Sequence, residues 1–214
     1  GFISLGCAKN QVDCEQMMFR MQEAGFAFLP EVDGADLVVI NTCGFIDAAK
    51  SEAIDHILAM GKLKQAGRIG KILVTGCLAQ RYQDEILKEM PEVDGVLGTG
   101  SYFDVVPAAL ELLERPGTVH HYGDIDAAMP ECGRILTTPA HYAYLKIAEG
   151  CSNRCAYCVI PQLRGKYRSR QMADVLQEAE NLAQQGVREL IIVAQDTTLY
   201  GVDLPPHRKL LPEL

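Results

Sequence analysis

The chain has 214 residues, of which 48% are hydrophobic, and a formal net charge of −8. That is enough apolar material for one or two ordinary cores, and no apolar run reaches membrane-spanning length. The acidic balance, with no long basic tract, excludes a broad electrostatic grip on nucleic acid by this stretch of chain.

In chain order, the first half alternates short apolar runs with helical patterns, the signature of a parallel α/β sheet. Strands are predicted at Phe2–Leu5, Leu37–Asn41, Lys71–Thr75 and around Val96–Leu97. Helices are predicted between them. The first runs from Asp13, a natural N-cap, to Ala24, with Gly25 as its stop and Cys14, Met17, Met18, Met21 and Ala24 on one stripe. Ile46–Lys64, Gln80–Met90 and Phe103–Glu114 follow. Arg115-Pro116-Gly117 breaks the pattern, and Thr118–Pro139 reads as irregular. A second α/β unit opens with the alternating run His141–Ile147. It continues through a helix at Gln171–Gln185, inner face Met172, Val175, Leu176, Ala179, Leu182 and Ala183, into a strand at Glu189–Ala194. The expected organisation is an N-terminal domain over 1–117, a linker over 118–139 and the beginning of a second domain over 140–214. Both ends fall inside elements, so a piece of a longer polypeptide is expected.

Eight cysteines in this length are too sparse for a disulfide scaffold, and without an export signal the expected compartment is a reducing cytoplasm. Cys151, Cys155 and Cys158 form a C-x3-C-x2-C run on one loop. Zinc ribbons want two paired half-sites, and no second pair exists. Three thiolates suit one face of a cubane cluster, which is normally held by four cysteines; one iron is then left for a ligand that is not protein. Cys7, Cys43 and Cys77 form a second set. Each follows a predicted strand and touches a glycine in sequence, within Gly6-Cys7, Cys43-Gly44 and Gly76-Cys77. In an open parallel sheet the carboxyl ends of the strands form the ligand crevice, so the fold gathers these three at one edge. Cys14 lies on the apolar helix stripe and reads as packing, and Cys132 as an incidental thiol. The five histidines offer no ligand pair. Arg164, Lys166, Arg168 and Arg170 read either as a solvated basic edge or as the place where one cation holds a carboxylate.

The loop Cys151-Ser152-Asn153-Arg154-Cys155-Ala156-Tyr157-Cys158, preceded by a three-cysteine α/β domain, resembles the radical S-adenosylmethionine methylthiotransferases. Four segments resemble the RimO type within that family: Ser4–Asn10, Asn41–Ile46, Gly76–Arg81 and Val193–Thr198. The resemblance implies a fold in which an open parallel-sheet domain precedes the first βαβ portion of an incomplete (β/α) barrel. It implies that Cys151, Cys155 and Cys158 hold a 4Fe–4S cluster whose open iron binds S-adenosylmethionine, and that Cys7, Cys43 and Cys77 hold an auxiliary 4Fe–4S cluster. Gln195 and Asp196 are implied at the methionine end of the cofactor. The implied reaction cleaves S-adenosylmethionine to a 5′-deoxyadenosyl radical, removes a hydrogen from the β-carbon of an aspartate in a small-subunit ribosomal protein and inserts a methylthio group. A flavodoxin or ferredoxin is the implied electron donor, and the sulfur donor is unspecified. Two alternatives stand beside it: methylthiolation of a transfer-RNA adenosine by the sister type, and a non-catalytic two-cluster electron carrier.

Overall fold

The computed structural model describes residues 1–214. Five strands, β1 (Phe2–Ser4), β2 (Leu37–Thr42), β3 (Lys71–Gly76), β4 (Gly95–Leu97) and β5 (Val119–His121), form one all-parallel sheet in that spatial order. The connecting helices are α1 (Ala8–Glu23), α2 (Asp47–Gln65), α3 (Cys77–Tyr82), α4 (Asp84–Glu89) and α5 (Val105–Glu114). Side chains alternate across a strand, and both faces are used here. Val38, Ile40, Ile72 and Val74 pack beneath Ala53 and Ile57 of α2. Leu37, Val39 and Leu73 face Met17 and Met21 of α1 and Val105 and Leu112 of α5. All six residues of β2 are buried, as expected of a parallel strand covered on both sides.

The second half is a βαβ unit. Strands β6 (Tyr142–Lys146) and β9 (Glu189–Val193) pair in parallel, with α7 (Met172–Gln184) between them in sequence. Ala143, Leu145 and Ile147 meet Val175 and Leu182 in its core. A two-residue antiparallel ladder, β7 (Ala148–Glu149) with β8 (Arg168–Ser169), closes a loop that contains the C-x3-C-x2-C run and the short α6 (Ile160–Arg164).

Several sequence expectations shift. Helix α1 starts five residues before Asp13, with Cys7 at its N-cap position, so Asp13 is mid-helix and buried rather than a cap. The helix expected over Gln80–Met90 is two helices, broken at Gln83, whose φ of 45° ends α3. Residues 119–121, read as irregular, are edge strand β5. Leu176 and Ala183, expected on the inner face of α7, are exposed.

The two halves pack against each other, α1 beside β6 and α3 beside α6. Residues 134–137 lie along α1 as a strap. The Ile135 amide donates to the Glu15 carbonyl at 3.1 Å, and the Thr137 amide to the Glu15 carboxylate at 2.9 Å.

Candidate functional site

Strands β1, β2 and β3 are neighbours, with Ser4, Asn41 and Thr75 level across the ladder. Cys7, Cys43 and Cys77 follow these positions by three, two and two residues, so all three emerge at the same carboxyl edge of the sheet. Neighbouring strands are ~4.8 Å apart, which brings the three loops close together. A Cβ on Gly6 would stand 2.8 Å from Cys43 Cβ, and one on Gly44 would stand 2.8–2.9 Å from the backbone of Cys77 and Leu78. Gly6 beside Cys7 and Gly44 beside Cys43 therefore let the loops touch.

Asn10 ties the three loops. It is fully buried in the first turns of α1. Its Nδ2 donates to the carbonyls of Leu5 at 3.2 Å and Thr42 at 2.8 Å, while Asn41 Nδ2 donates to the Asn10 carbonyl at 2.6 Å. Cys77 Sγ lies 3.8 Å from Asn10 Oδ1. The Cys77 thiol is buried and the Cys7 thiol exposed, with Cys43 between. Burial pushes the Cys77 thiol up, and Arg164 acts against that.

The second triad sits on a loop anchored at both ends. The Cys151 amide donates to the Gly165 carbonyl at 3.0 Å, and the Cys158 amide to the Cys155 carbonyl at 3.0 Å. The Tyr167 amide donates to Ser152 Oγ at 3.1 Å. Cys155 and Tyr157 are exposed, the tyrosine at 89%. Asp196 is drawn to this loop: Asn153 Nδ2 donates to Asp196 Oδ2 at 3.4 Å and the Tyr167 hydroxyl to its carbonyl at 3.0 Å. Gln195 is partly exposed beside it, with no side-chain hydrogen bond to the loop. No three His, Cys, Asp or Glu side chains close around a single ion. A cubane gives each cysteine its own iron, and an all-thiolate donor set is the chemistry iron–sulfur clusters use, so both triads fit such a cluster.

Between the triads lies a buried set of four charges that sequence reasoning did not assemble. Lys146 Nζ donates to Asp13 Oδ1 at 2.5 Å and Glu149 Oε2 at 3.3 Å; Arg164 NH1 donates to Asp13 Oδ2 at 2.6 Å and Glu149 Oε2 at 3.1 Å. Two cations and two carboxylates balance, which is what permits their burial. Burial opposes ionisation of Glu149, but Arg164 and Lys146 outweigh it and hold the carboxyl well below its ordinary range. Arg164 also places Nε 3.3 Å from Cys77 Sγ. The basic run after the loop is thus no solvated edge at Arg164 or Arg170. Arg170 pairs with Glu131 and Glu178, both at 2.5 Å, while Lys166 is largely exposed near Asp126.

Residues 1–98 match the family described as uncharacterized protein family UPF0004, and residues 145–212 match the radical SAM superfamily. A relative from Thermoanaerobacter sp. (strain X514), named ribosomal protein uS12 methylthiotransferase RimO, is 52% identical over 100% of this chain and 49% of its own length. The chain belongs to the radical S-adenosylmethionine methylthiotransferase family. Within that family the similarity is to the RimO type. A protein of the same name from Clostridioides difficile (strain 630) is 49% identical over 94% of this chain and 45% of its own length. The chain therefore spans about half the length of these methylthiotransferase relatives. A solved radical S-adenosylmethionine methyltransferase, TsrM from Kitasatospora setae, shares the fold at a TM-score of 0.53 and 14% identity, over 92% of this chain and 42% of that one.

Asn10, Asp13, Lys146 and Glu149 gave no usable signal in the sequence. Each is an ordinary polar residue whose partners lie mostly tens of residues away. The only available hint was a polar first turn in an otherwise apolar-striped helix.

Proposed function

We propose that the full-length protein adds a methylthio group to the β-carbon of an aspartate in a small-subunit ribosomal protein. Cys151, Cys155 and Cys158 hold the 4Fe–4S cluster that binds S-adenosylmethionine, and Cys7, Cys43 and Cys77 hold an auxiliary 4Fe–4S cluster. When bound, these groups supply radical hydrogen abstraction and a transferable methylthio group. Asp196, tethered to the cysteine loop through Asn153, and Gln195 orient the methionine end of the cofactor. Residues 1–117, with edge strand β5 of the following segment completing their sheet, act as the sulfur-carrying domain, the rest of 118–139 as the connecting strap and 140–214 as the start of the radical domain. The protein works in the cytoplasm, with electrons from a flavodoxin or ferredoxin; no helix is long and apolar enough to cross a membrane.

The observation that carries this is the packing of the strand-end triad against α6, on the same loop as the second triad, with Arg164 touching Cys77 and Glu149 alike. Anaerobic reconstitution of the full-length protein should bind about eight irons per chain, as two cubanes require. Incubation with S-adenosylmethionine, reductant and the ribosomal protein should then raise the substrate mass by one methylthio group. About four irons per chain in the wild type, or a gain of mass on transfer RNA instead, would overturn it.

A further inference from the structure

We propose that Arg164 is a positioning residue that sets the reduction potential of the group held at Cys77; this rests on the strand-end triad holding an iron–sulfur cluster. The Arg164 side chain is 2% exposed and uses all three guanidinium nitrogens. NH1 reaches Asp13 and Glu149, NH2 reaches Asn10 Oδ1, and Nε points at Cys77 Sγ from 3.3 Å. The plane of the guanidinium is fixed by the first two, so the third N–H cannot turn away from the sulfur. Asp13, Glu149 and Lys146 add no net positive charge, because with Arg164 they sum to zero. What Cys77 feels at close range is therefore one directed donor. Hydrogen bonds to cluster sulfurs and exclusion of water are the main protein levers on iron–sulfur potentials. Cys77 is the buried member of its triad and the one with a cationic side-chain partner. Reduction adds negative charge to the cluster, so this N–H favours the reduced form and raises the potential.

The same side chain reaches Glu149, two residues before Cys151. The radical half thereby supplies the donor that tunes the group in the other half, and a cluster lacking that half would be harder to reduce.

The test uses the full-length protein with Cys151, Cys155 and Cys158 replaced by alanine, so that only the strand-end cluster remains. Iron content is measured first, and a background protein that binds no iron overturns the cluster assignment before any Arg164 variant is made. Potentials are then followed by electron paramagnetic resonance during dithionite titration of Arg164→Gln and Arg164→Lys. At the solution potential where the parent is half reduced, Arg164→Gln should show at least a tenfold lower reduced-to-oxidised ratio, equal to 59 mV for one electron. Arg164→Lys, which keeps charge on a flexible stem without the planar fork, should fall between. A midpoint unchanged in Arg164→Lys at full iron content overturns the proposal, even if Arg164→Gln fails to fold. Loss of iron from both variants in folded protein also overturns it, since Arg164 would then serve assembly rather than potential.

Discussion

The Asp13 carboxylate, midway along α1, accepts a 2.5 Å hydrogen bond from the Lys146 ammonium on β6, across the junction of the two halves. Its other oxygen takes Arg164. Both pairs are almost fully out of water. Removing one partner of a buried ion pair leaves an uncompensated charge and costs about 3–5 kcal/mol. Asp13→Ala should therefore lower the stability of the full-length protein by about that amount in urea melts. A loss below about 1 kcal/mol, the range of exposed pairs, would show that water reaches the junction.

Asn10 should govern loading of the strand-end triad more than its chemistry suggests. Asn10→Ala strands the Leu5 and Thr42 carbonyls and removes the acceptor facing Cys77 and Arg164. Each orphaned group costs about 1–3 kcal/mol, and the three loops lose their common tether. With Cys151, Cys155 and Cys158 replaced, iron bound by Asn10→Ala after reconstitution should fall by at least half. Undiminished iron would mean that the sheet alone fixes the loops.

Glu149 gives the junction an acid limit. Its folded-state pKa lies below the ordinary value of 4.5, burial being outweighed by Arg164 and Lys146. The unfolded chain then binds the proton first. Stability from this group is fully present above 4.5 and is lost as pH falls through the lowered folded value. Thermal midpoints should therefore drop more steeply below pH 4.5 in the parent than in Glu149→Gln, and parallel curves would count against it.

Thiol reactivity should separate the cysteines by environment in the metal-free protein. Burial pushes the Cys14 thiol up to about 12 and the half-buried Cys132 up to about 11, whereas Cys7 and Cys155 are exposed. The thiolate is the reactive species, so brief iodoacetamide treatment followed by peptide mass mapping should label Cys7 and Cys155 well before Cys132, and Cys14 last. Early labelling of Cys14 would mean that α1 separates from the sheet.

The parallel sheet was legible because its strands are short branched runs, and the strand-end cysteines because a glycine adjoins each one. Asp13 was misread as a cap because the apolar stripe begins there. The true first turn, Ala8 to Gln11, carries polar side chains with partners off the sheet core, Asn10 on the strand-end loops and Gln11 on the strap at Thr137. Strand β5 was hidden by its own content: Val119 is buried, but His120 and His121 sit at an edge where burial imposes no alternation. The break at Gln83 left no trace, because a lone left-handed residue other than glycine has no sequence signature. The buried charge set was illegible for a deeper reason: Asp13 and Lys146 stand 133 positions apart, and no local pattern encodes a pairing at that distance.

The four-charge junction bears on how these two halves can be inherited. Each cation leans on one carboxylate from its own half and one from the other, so neither half is electrically complete alone. A chimaera taking residues 1–117 from a relative with a neutral side chain at position 13 would bury Lys146 and Arg164 with Glu149 as their sole counterion. Recombination at the strap is thus penalised unless Asp13 travels with its partners, and the pair behaves as one unit of descent.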